Sequence, residues 1–382
     1  MADAIPPVSN LFLQSADLTK FGYLPWDATT ELHIFAGTGK GAGSHKGVPF
    51  TFSASDPAAT VVVAADFAFV PFVVGGTTTV PAGTFQIGAN VDQAQTIVGA
   101  GMRQTMLDGQ GGVGGGHRLV FGKGSLHVMA QGSTLIKGIG FLNGGGADGV
   151  SDGEAGIYVG DGATGTVTLL GCAFDGCENG VFAQPGCLAD LVIDRCVFGK
   201  NTHNGLADGR SHDNYVACRS LTIKNSVYVG DSFGNTIKCR SSFLDVSGSF
   251  VARTTGRWID LPGGTTATST GNVYVTHPGA DSQNAFGFYD ESDAGSVPGK
   301  FGSFLSTDDT FYFSRFQENI WVNNPATVVQ FVRAKVFWIG QQGATPPTVV
   351  IQGPGTLTGE NPFVFNETNR VDFQPGIPSD PL

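Results

Sequence analysis

The chain has 382 residues, with 57 glycines, 29 phenylalanines and only 14% charged residues. Disorder requires low hydrophobicity and high charge, so this composition excludes an unfolded chain and favours a turn-rich, mostly β protein. The net charge of −11 repels phosphate backbones and argues against nucleic-acid binding as the main role.

The first part of the chain, residues 1–50, predicts an irregular N-terminal region that serves for attachment. Its opening, MADAIPPVSN, lacks the charged start and apolar run of an export signal. The longest apolar stretch, at 60–74, is shorter than the roughly 20 residues that span a bilayer, and it contains Asp66 and Pro71. We therefore expect no membrane span, and secretion only by a non-classical route.

Residues 51–300 contain a repeat. Five similar segments each read as an alternating apolar strand, a small or polar residue, an aromatic residue or valine, and a Gly/Asn/Asp turn. They start at Val167, Leu191, Leu221, Leu244 and Thr268. Their period is about 23 residues with one longer member, as in a solenoid whose coils tolerate loop insertions. The pattern predicts an all-β fold, a right-handed parallel β-helix, followed by β-rich coils or a cap over residues 301–382.

Equivalent positions of the repeat carry small polar residues, which predict ladders of side chains at the tight turns. The first ladder consists of Cys172, Cys196, Ser226, Ser249 and Asn272. Cys218 and Cys239 are expected to share a second position. We interpret the six cysteines as buried thiols rather than disulfides or zinc ligands, because no Cys-x-x-Cys pair with a matching histidine is present.

Strand alternation places a row of side chains on the outer face of the solenoid. In NTIKCR, the apolar Ile237 and Cys239 point inward, so Lys238 and Arg240 point outward. The same reasoning in the other coils predicts one outer row with three nearby residues. The row is Tyr158, Phe182, Tyr215, Lys238 and Asp260, with His212, Arg240 and Arg257 beside it.

Aromatic rings beside ionisable groups on a flat face are suited to binding sugar rings, with the charges meeting hydroxyl groups or uronate carboxylates. On this interpretation Tyr158, Phe182 and Arg257 bind substrate. A surface ion pair between Lys238 and Asp260 would explain the same charges without any function, since such pairs contribute little. A subunit contact or a covering loop would equally explain the outward aromatic residues.

No cofactor is expected, and the one candidate ion is calcium. Asp148, Asp152 and Glu154 lie together on the glycine-rich loop DGVSDGE. The loop lacks the full EF-hand spacing, so a solvated turn is the favoured interpretation.

Two stretches resemble a known superfamily. VPAGTF at 80–85 and TIVGAGMRQTMLDGQGG from Thr96 are similar to the start of pectate-lyase-like right-handed β-helices, which include polysaccharide lyases, glycoside hydrolases and phage tailspikes. The block at 212–272 also resembles a bacterial group of β-helix proteins of poorly defined activity. The matching positions are His212, Tyr215, Lys238, Arg240, Asp260, Pro262 and Gly263, whereas Asn235 stands where that group has His and Cys239 where it has Ser.

Two kinds of chemistry fit these residues. An elimination lyase needs a base and a cation, for which Lys238 or Tyr215 and Arg240 are candidates, with His212 as the acid. A glycoside hydrolase needs two carboxylates, and only Asp260 is placed by the repeat; Asp213 or Asp231 is the candidate partner. A row with one carboxylate favours the lyase.

Three functional hypotheses follow. The first is a virion spike or fibre that binds, and in one version cleaves, bacterial surface polysaccharide. The resemblance implies a homotrimer, and we expect the N-terminal region to attach it to other virion proteins. The second is a polysaccharide lyase encoded by a cell, and the third is a non-catalytic structural virion or surface protein.

Overall fold

The computed structural model describes most of the chain from residue 76 to residue 371 and four short strands before it. The described ranges are 33–35, 40–45, 48–53, 60–62, 76–85, 89–109, 124–144, 154–201, 211–229, 234–253, 255–276, 284–289, 302–314, 317–339 and 343–371. The four strands before residue 76 form two antiparallel pairs. His33–Phe35 pairs with Thr60–Val62, and Lys40–His45 pairs with Val48–Ser53.

The predicted right-handed parallel β-helix is confirmed. Each coil contributes one strand to each of three parallel sheets, which we call sheets I, II and III in chain order. The only helical segment in the described ranges is a single 3-10 turn, Glu367–Asn369. No helix in these ranges has the length and apolar character to cross a membrane.

Sheet I has eleven strands. They are Thr77–Val80, Thr96–Gly99, Thr134–Lys137, Thr166–Leu170, Asp190–Asp194, Ser220–Lys224, Phe243–Ser247, Thr266–Thr270, Ser303–Thr307, Val328–Val332 and Thr356–Thr358. Sheet II also has eleven strands. They are Gly83–Phe85, Thr105–Asp108, Gly140–Leu142, Ala173–Asp175, Val197–Phe198, Val227–Tyr228, Phe250–Arg253, Val273–Thr276, Thr310–Phe313, Lys335–Ile339 and Arg370–Val371.

Sheet III has ten strands and carries the outer row predicted from the sequence. They are Ala89–Gln93, Gly124–Gln131, Ala155–Val159, Asn179–Ala183, Asn214–Val216, Ile237–Cys239, Ile259–Leu261, Asn284–Phe288, Gln317–Val322 and Thr348–Gln352. The predicted boundary near residue 300 does not correspond to a break in the sheets. Strands on either side of it pair directly, as Thr266–Thr270 does with Ser303–Thr307.

The corner between sheets I and II explains why the coils stack. In eight successive coils, the residue after the sheet I strand has a positive φ of 49–64°, which is the left-handed region that glycine and asparagine adopt most easily. These residues are Gly138, Gly171, Arg195, Asn225, Gly248, Gly271, Asp308 and Arg333. The corner turns the chain sharply and brings the next side chain inward.

In each coil, the residue that follows this corner contributes one side chain to the predicted ladder. Each ladder atom accepts a hydrogen bond from the backbone N–H of the preceding coil. The bonds run from Cys172 N to Cys196 Sγ (3.4 Å), Cys196 N to Ser226 Oγ (3.2 Å), Ser226 N to Ser249 Oγ (3.1 Å) and Ser249 N to Asn272 Oδ1 (2.8 Å). Asp309 extends the ladder by one coil, since its Oδ1 accepts from Asn272 N at 2.7 Å.

The prediction of buried thiols is confirmed. The prediction that Cys218 and Cys239 occupy equivalent positions of the repeat is wrong. All six cysteines are free and buried. Cys239 pairs in register with Val216, whereas the Sγ of Cys218 lies 3.6 Å from the Oγ of Ser241. Cys218 lies beyond the end of the strand Asn214–Val216, and the two coils are offset by 23 residues, whereas the two cysteines are 21 residues apart.

Inward side chains fill the coil with apolar residues that become larger toward the C-terminal end. Phe141, Phe174, Phe198 and Tyr228 stack in successive coils of sheet II, with ring centroids 4.5–5.1 Å apart. Farther along, Trp258 packs among several phenylalanine rings. This continuous packed interior supports sheet III, whose parallel pairing aligns its outer side chains from coil to coil.

Candidate functional site

The outer row of sheet III has the register predicted from the sequence. Parallel pairing aligns Tyr158 with Phe182, Phe182 with Tyr215, Tyr215 with Lys238 and Lys238 with Asp260. The row also extends in both directions beyond the prediction. His127 precedes it, and Gly287, Trp321 and Gln352 follow it.

The first half of the row is an aromatic ladder. The rings of Tyr158 and Phe182 stack at 5.2 Å, and the rings of Phe182 and Tyr215 meet edge to face at 4.9 Å. Tyr158 is buried and its hydroxyl donates to Gln184 Oε1 at 2.9 Å. Phe182 and Tyr215 remain partly exposed. Of the predicted aromatic residues, these two therefore offer ring surface to a ligand.

His127 stands at the head of this ladder and was not anticipated from the sequence. Its ring contacts the ring of Tyr158 edge to face at 4.8 Å. Burial lowers the pKa of His127 to about 4, against an opposing effect of Asp161. The ring is therefore neutral near pH 7 and packs against Tyr158 as an uncharged ring.

Two cations lie against the ring of Tyr215. Lys238 Nζ is 5.2 Å from the ring centroid, and the Cζ of Arg240 is 5.4 Å from it. Both distances are within the range of cation–π attraction. Both side chains are partly exposed. A partly exposed ring and two positive charges therefore lie together on this face.

Asp260 points away from the coil interior, as predicted, but it is enclosed by protein and 0% exposed. Its Oδ1 accepts from Arg257 Nη1 at 2.7 Å, and its Oδ2 accepts from Asn235 Nδ2 at 2.8 Å and from the Tyr289 hydroxyl at 3.1 Å. Lys238 Nζ lies 3.9 Å from Oδ2. Burial raises the pKa of Asp260, and Arg257 and Lys238 oppose the effect.

His212 belongs to a ladder of side chains at the corner before sheet III. Asn179 Oδ1 accepts from the backbone N–H of His212 (3.1 Å), and His212 Nδ1 accepts from that of Asn235 (2.8 Å). Asn235 Oδ1 continues the series by accepting from the backbone N–H of Arg257 at 2.8 Å. Because Nδ1 of His212 is an acceptor, it carries no proton, and a catalytic proton would have to reside on Nε2.

Arg257 was predicted to lie near the row, and it does so beside two rings that were not singled out. Its Cζ lies 5.3 Å from the ring centroid of Tyr289 and 5.1 Å from that of Trp321. Alternation in the stretch ENIWV gives the outward direction of Trp321. The interval between Gly287 and Trp321, however, is much longer than one coil period and hides their alignment from simple counting.

The other proposed carboxylates do not assemble into a second site among the described residues. Asp213 is buried, and its Oδ1 accepts from Asn201 Nδ2 at 2.9 Å. Asp148, Asp152 and Asp231 lie outside the described residues, whereas Glu154 lies inside them and is buried. Within the described ranges, no three His, Cys, Asp or Glu side chains are placed to hold a metal ion. The calcium site stays a prediction.

Comparisons of the chain with protein-family models, with curated proteins and with solved structures gave no match. The parallel β-helix architecture and the geometry of the outer face of sheet III are therefore the basis for a function.

Proposed function

We propose that this chain is a spike- or fibre-type β-helix protein that binds a carboxylated bacterial surface polysaccharide along the outer face of sheet III. The observation that carries the proposal is the partly exposed ring of Tyr215 with Lys238 and Arg240 at 5.2 and 5.4 Å. Aromatic rings pack against the apolar faces of sugars, and the two cations supply charge for carboxylates.

The charge distribution supports an acidic ligand. The whole chain carries −11, so a carboxylated polymer is repelled by the molecule in general. Lys238, Arg240 and Arg257 place three positive charges within two successive coils of one face. Because the rest of the molecule repels a carboxylated polymer, the polymer should bind only at this face, where the cations lie.

The length of the row supports a polymer rather than a single sugar. Phe182 and Trp321 are five coil steps apart, which is about 24 Å at roughly 4.8 Å per step. A row of this length runs from coil to coil along the solenoid. An extended chain of several sugar units can follow it without bending.

Binding, rather than hydrolysis, is the function that this geometry favours. A glycosidase needs two accessible carboxylates on opposite sides of the bond. Asp260 and Asp213 are both 0% exposed, and each accepts hydrogen bonds from neighbouring side chains. Elimination remains a second candidate, because Lys238 and Arg240 provide a base and a carboxylate-binding cation beside Tyr215.

The resemblance to tailspikes and polysaccharide lyases extends the proposal. It implies a homotrimer on a virion, and we propose that residues 1–50 attach this trimer to other virion proteins. The alternatives are a polysaccharide lyase of a cell and a structural virion or surface protein. Light scattering of the purified chain tests the trimer, and a monomer at all concentrations would contradict it.

The experiment that tests the binding site compares two double variants with equal loss of charge. Lys238→Ala with Arg240→Ala removes the cations of sheet III, and the control, Arg219→Ala with Lys224→Ala, removes two cations at sheet I. Dissociation constants are measured for polygalacturonate, alginate and the neutral polymer dextran. A hydrogen bond to a charged group contributes about 1.5 kcal/mol or more, so the site variant should bind uronates at least about tenfold more weakly.

The expected outcome is normal binding by the control variant and weak binding by the site variant. Equal affinity of both variants would place the ligand elsewhere and refute the site. The absorbance of unsaturated uronate and the number of reducing ends are followed in the same samples. An increase in absorbance that is lost with Lys238→Ala would support the lyase, and reducing ends alone would indicate a hydrolase.

A further inference from the structure

Arg257, Tyr289 and Trp321 form a second cluster on sheet III, farther along the axis than Tyr215. The rings of Tyr289 and Trp321 stack with centroids 4.7 Å apart and an interplanar angle of 28°. The Cζ of Arg257 is 5.3 and 5.1 Å from the two centroids. Tyr289 and Trp321 are both partly exposed, so the cluster offers ring surface as well as charge.

The position of Arg257 is fixed by two neighbours. Its Nη1 donates to Asp260 Oδ1 at 2.7 Å, and Asp260 is itself held by Asn235 and Tyr289. Gly287 lies in register between Asp260 and Trp321 and leaves room for the arginine. A Cβ at Gly287 would lie only 2.7 Å from Cδ and Nε of Arg257 and 2.8 Å from Asp260 Oδ1.

The cluster is therefore organised before any ligand arrives. A guanidinium has five N–H donors, and Asp260 takes one at Nη1, so donors remain for a second carboxylate. Planar rings contact the apolar face of a sugar with little loss of side-chain entropy, since each has only two rotatable side-chain bonds. A sugar unit that combines an apolar face with a carboxylate matches both parts of the cluster.

We infer that Arg257, Tyr289 and Trp321 form a second subsite, which takes another uronate-type unit of the same polymer. The inference rests on the proposed function of sheet III. Tyr215 and Trp321 are four coil steps apart, or about 19 Å at roughly 4.8 Å per step. Two subsites at this distance bind a long chain bivalently, whereas a short oligomer reaches only one of them.

The test compares digalacturonate with polygalacturonate on the wild type and on three variants. Trp321→Ala removes the ring, whereas Gly287→Ala keeps both rings in the chain and places a Cβ against Arg257 and Asp260. The control is Phe337→Ala, since Phe337 stacks on Tyr312 at 5.1 Å on sheet II with the same partial exposure. Trp321→Ala and Gly287→Ala should each reduce the affinity for the polymer by about tenfold or more through lost bivalency.

Tryptophan fluorescence gives a second readout that does not depend on affinity. Trp258 and Trp338 are buried, so Trp321 is the partly exposed tryptophan among the described residues. Polygalacturonate should change the emission of the wild type, and Trp321→Phe should remove that change. Thermal melting of Trp321→Ala, Gly287→Ala and Phe337→Ala separates a folding defect from a loss of binding.

The outcomes distinguish the subsite from the proposed function. If Trp321→Ala and Gly287→Ala bind the polymer like the control, while the Lys238/Arg240 double variant loses binding, the second subsite is wrong and the proposed function stands. If the wild type binds neither polygalacturonate nor alginate, both are overturned. The wild type should bind polygalacturonate more tightly than digalacturonate. If this difference in affinity disappears in Trp321→Ala and Gly287→Ala but persists in Phe337→Ala, the subsite is supported.

Discussion

Replacement of Asp260 by alanine tests whether this carboxylate is a structural anchor of sheet III. Its two oxygens accept hydrogen bonds from Arg257, Asn235 and Tyr289 at 2.7–3.1 Å. Lys238 adds a weaker ion pair at 3.9 Å. Alanine leaves these donors facing a small cavity, because Asp260 is 0% exposed and no water replaces its oxygens without rearrangement.

The expected loss of stability follows from the full burial of Asp260 and the partial burial of Arg257 and Lys238. Removing one partner of a buried ion pair costs roughly 3–5 kcal/mol. Here Arg257 and Lys238 keep 16% and 14% of their side-chain area exposed, so water recovers part of their solvation. We therefore expect the free energy of unfolding to fall by about 3 kcal/mol, the lower end of that range.

Urea denaturation followed by tryptophan fluorescence measures this loss, because Trp258 lies in the core immediately before the strand that carries Asp260. The matched control is Asp190→Ala, which removes a carboxylate paired with Arg219 on the exposed surface of sheet I. Exposed pairs contribute at most about 1 kcal/mol, so the loss for Asp190→Ala should be clearly smaller than that for Asp260→Ala. A loss for Asp260→Ala no larger than for the control would refute the anchor.

Three further predictions concern the ladders. His212→Ala leaves the backbone N–H of Asn235 without its acceptor and should destabilise the fold by about 1–3 kcal/mol in urea; an unchanged midpoint would contradict this role. Cys196→Ser should leave the midpoint unchanged, since Ser226 already occupies the same ladder position, whereas a large loss would show that sulfur is needed there. Burial raises the pKa of Asp309, so the folded state favours its protonated form. The stability that this group contributes is then complete below the ordinary Asp value of 3.8 and is lost as pH rises through the raised pKa. Asp309→Asn should flatten the dependence of stability on pH above 3.8, and a slope as steep as in the wild type would contradict the assignment.

The fold and the outer row could be predicted from the sequence because both depend on simple periodicities. Alternation of apolar residues gives the direction of each side chain in a strand, and the coil period gives the register between strands. Both rules hold from Tyr158 to Asp260, where the spacing stays close to one coil period apart from inserted loops. The first ladder followed from the same counting.

The burial of Asp260 could not be predicted from the sequence. It depends on Tyr289 and Asn235, which approach the carboxylate from the next coil and from a preceding corner. Their placement is set by turn geometry rather than by strand alternation. The assignment of Cys218 and Cys239 to one position was wrong because they are 21 residues apart, whereas the offset that aligns Val216 with Cys239 is 23 residues.

Trp321 was missed because loops change the coil length. The outward direction of its ring follows from alternation, but its neighbour Gly287 lies more than one coil period earlier in the chain. A single sequence does not show how many of the intervening residues leave the coil. Recognition of a cluster such as Arg257, Tyr289 and Trp321 therefore requires the three-dimensional register.

The central claim is that the outer face of sheet III holds the ligand, and a crystal structure of the protein with bound oligogalacturonate tests it most directly. We expect sugar density along the solenoid axis, over the partly exposed rings of Tyr215 and Trp321 and with carboxylates at Lys238, Arg240 and Arg257. Density over the outer face of sheet I or sheet II, with sheet III empty, would contradict it.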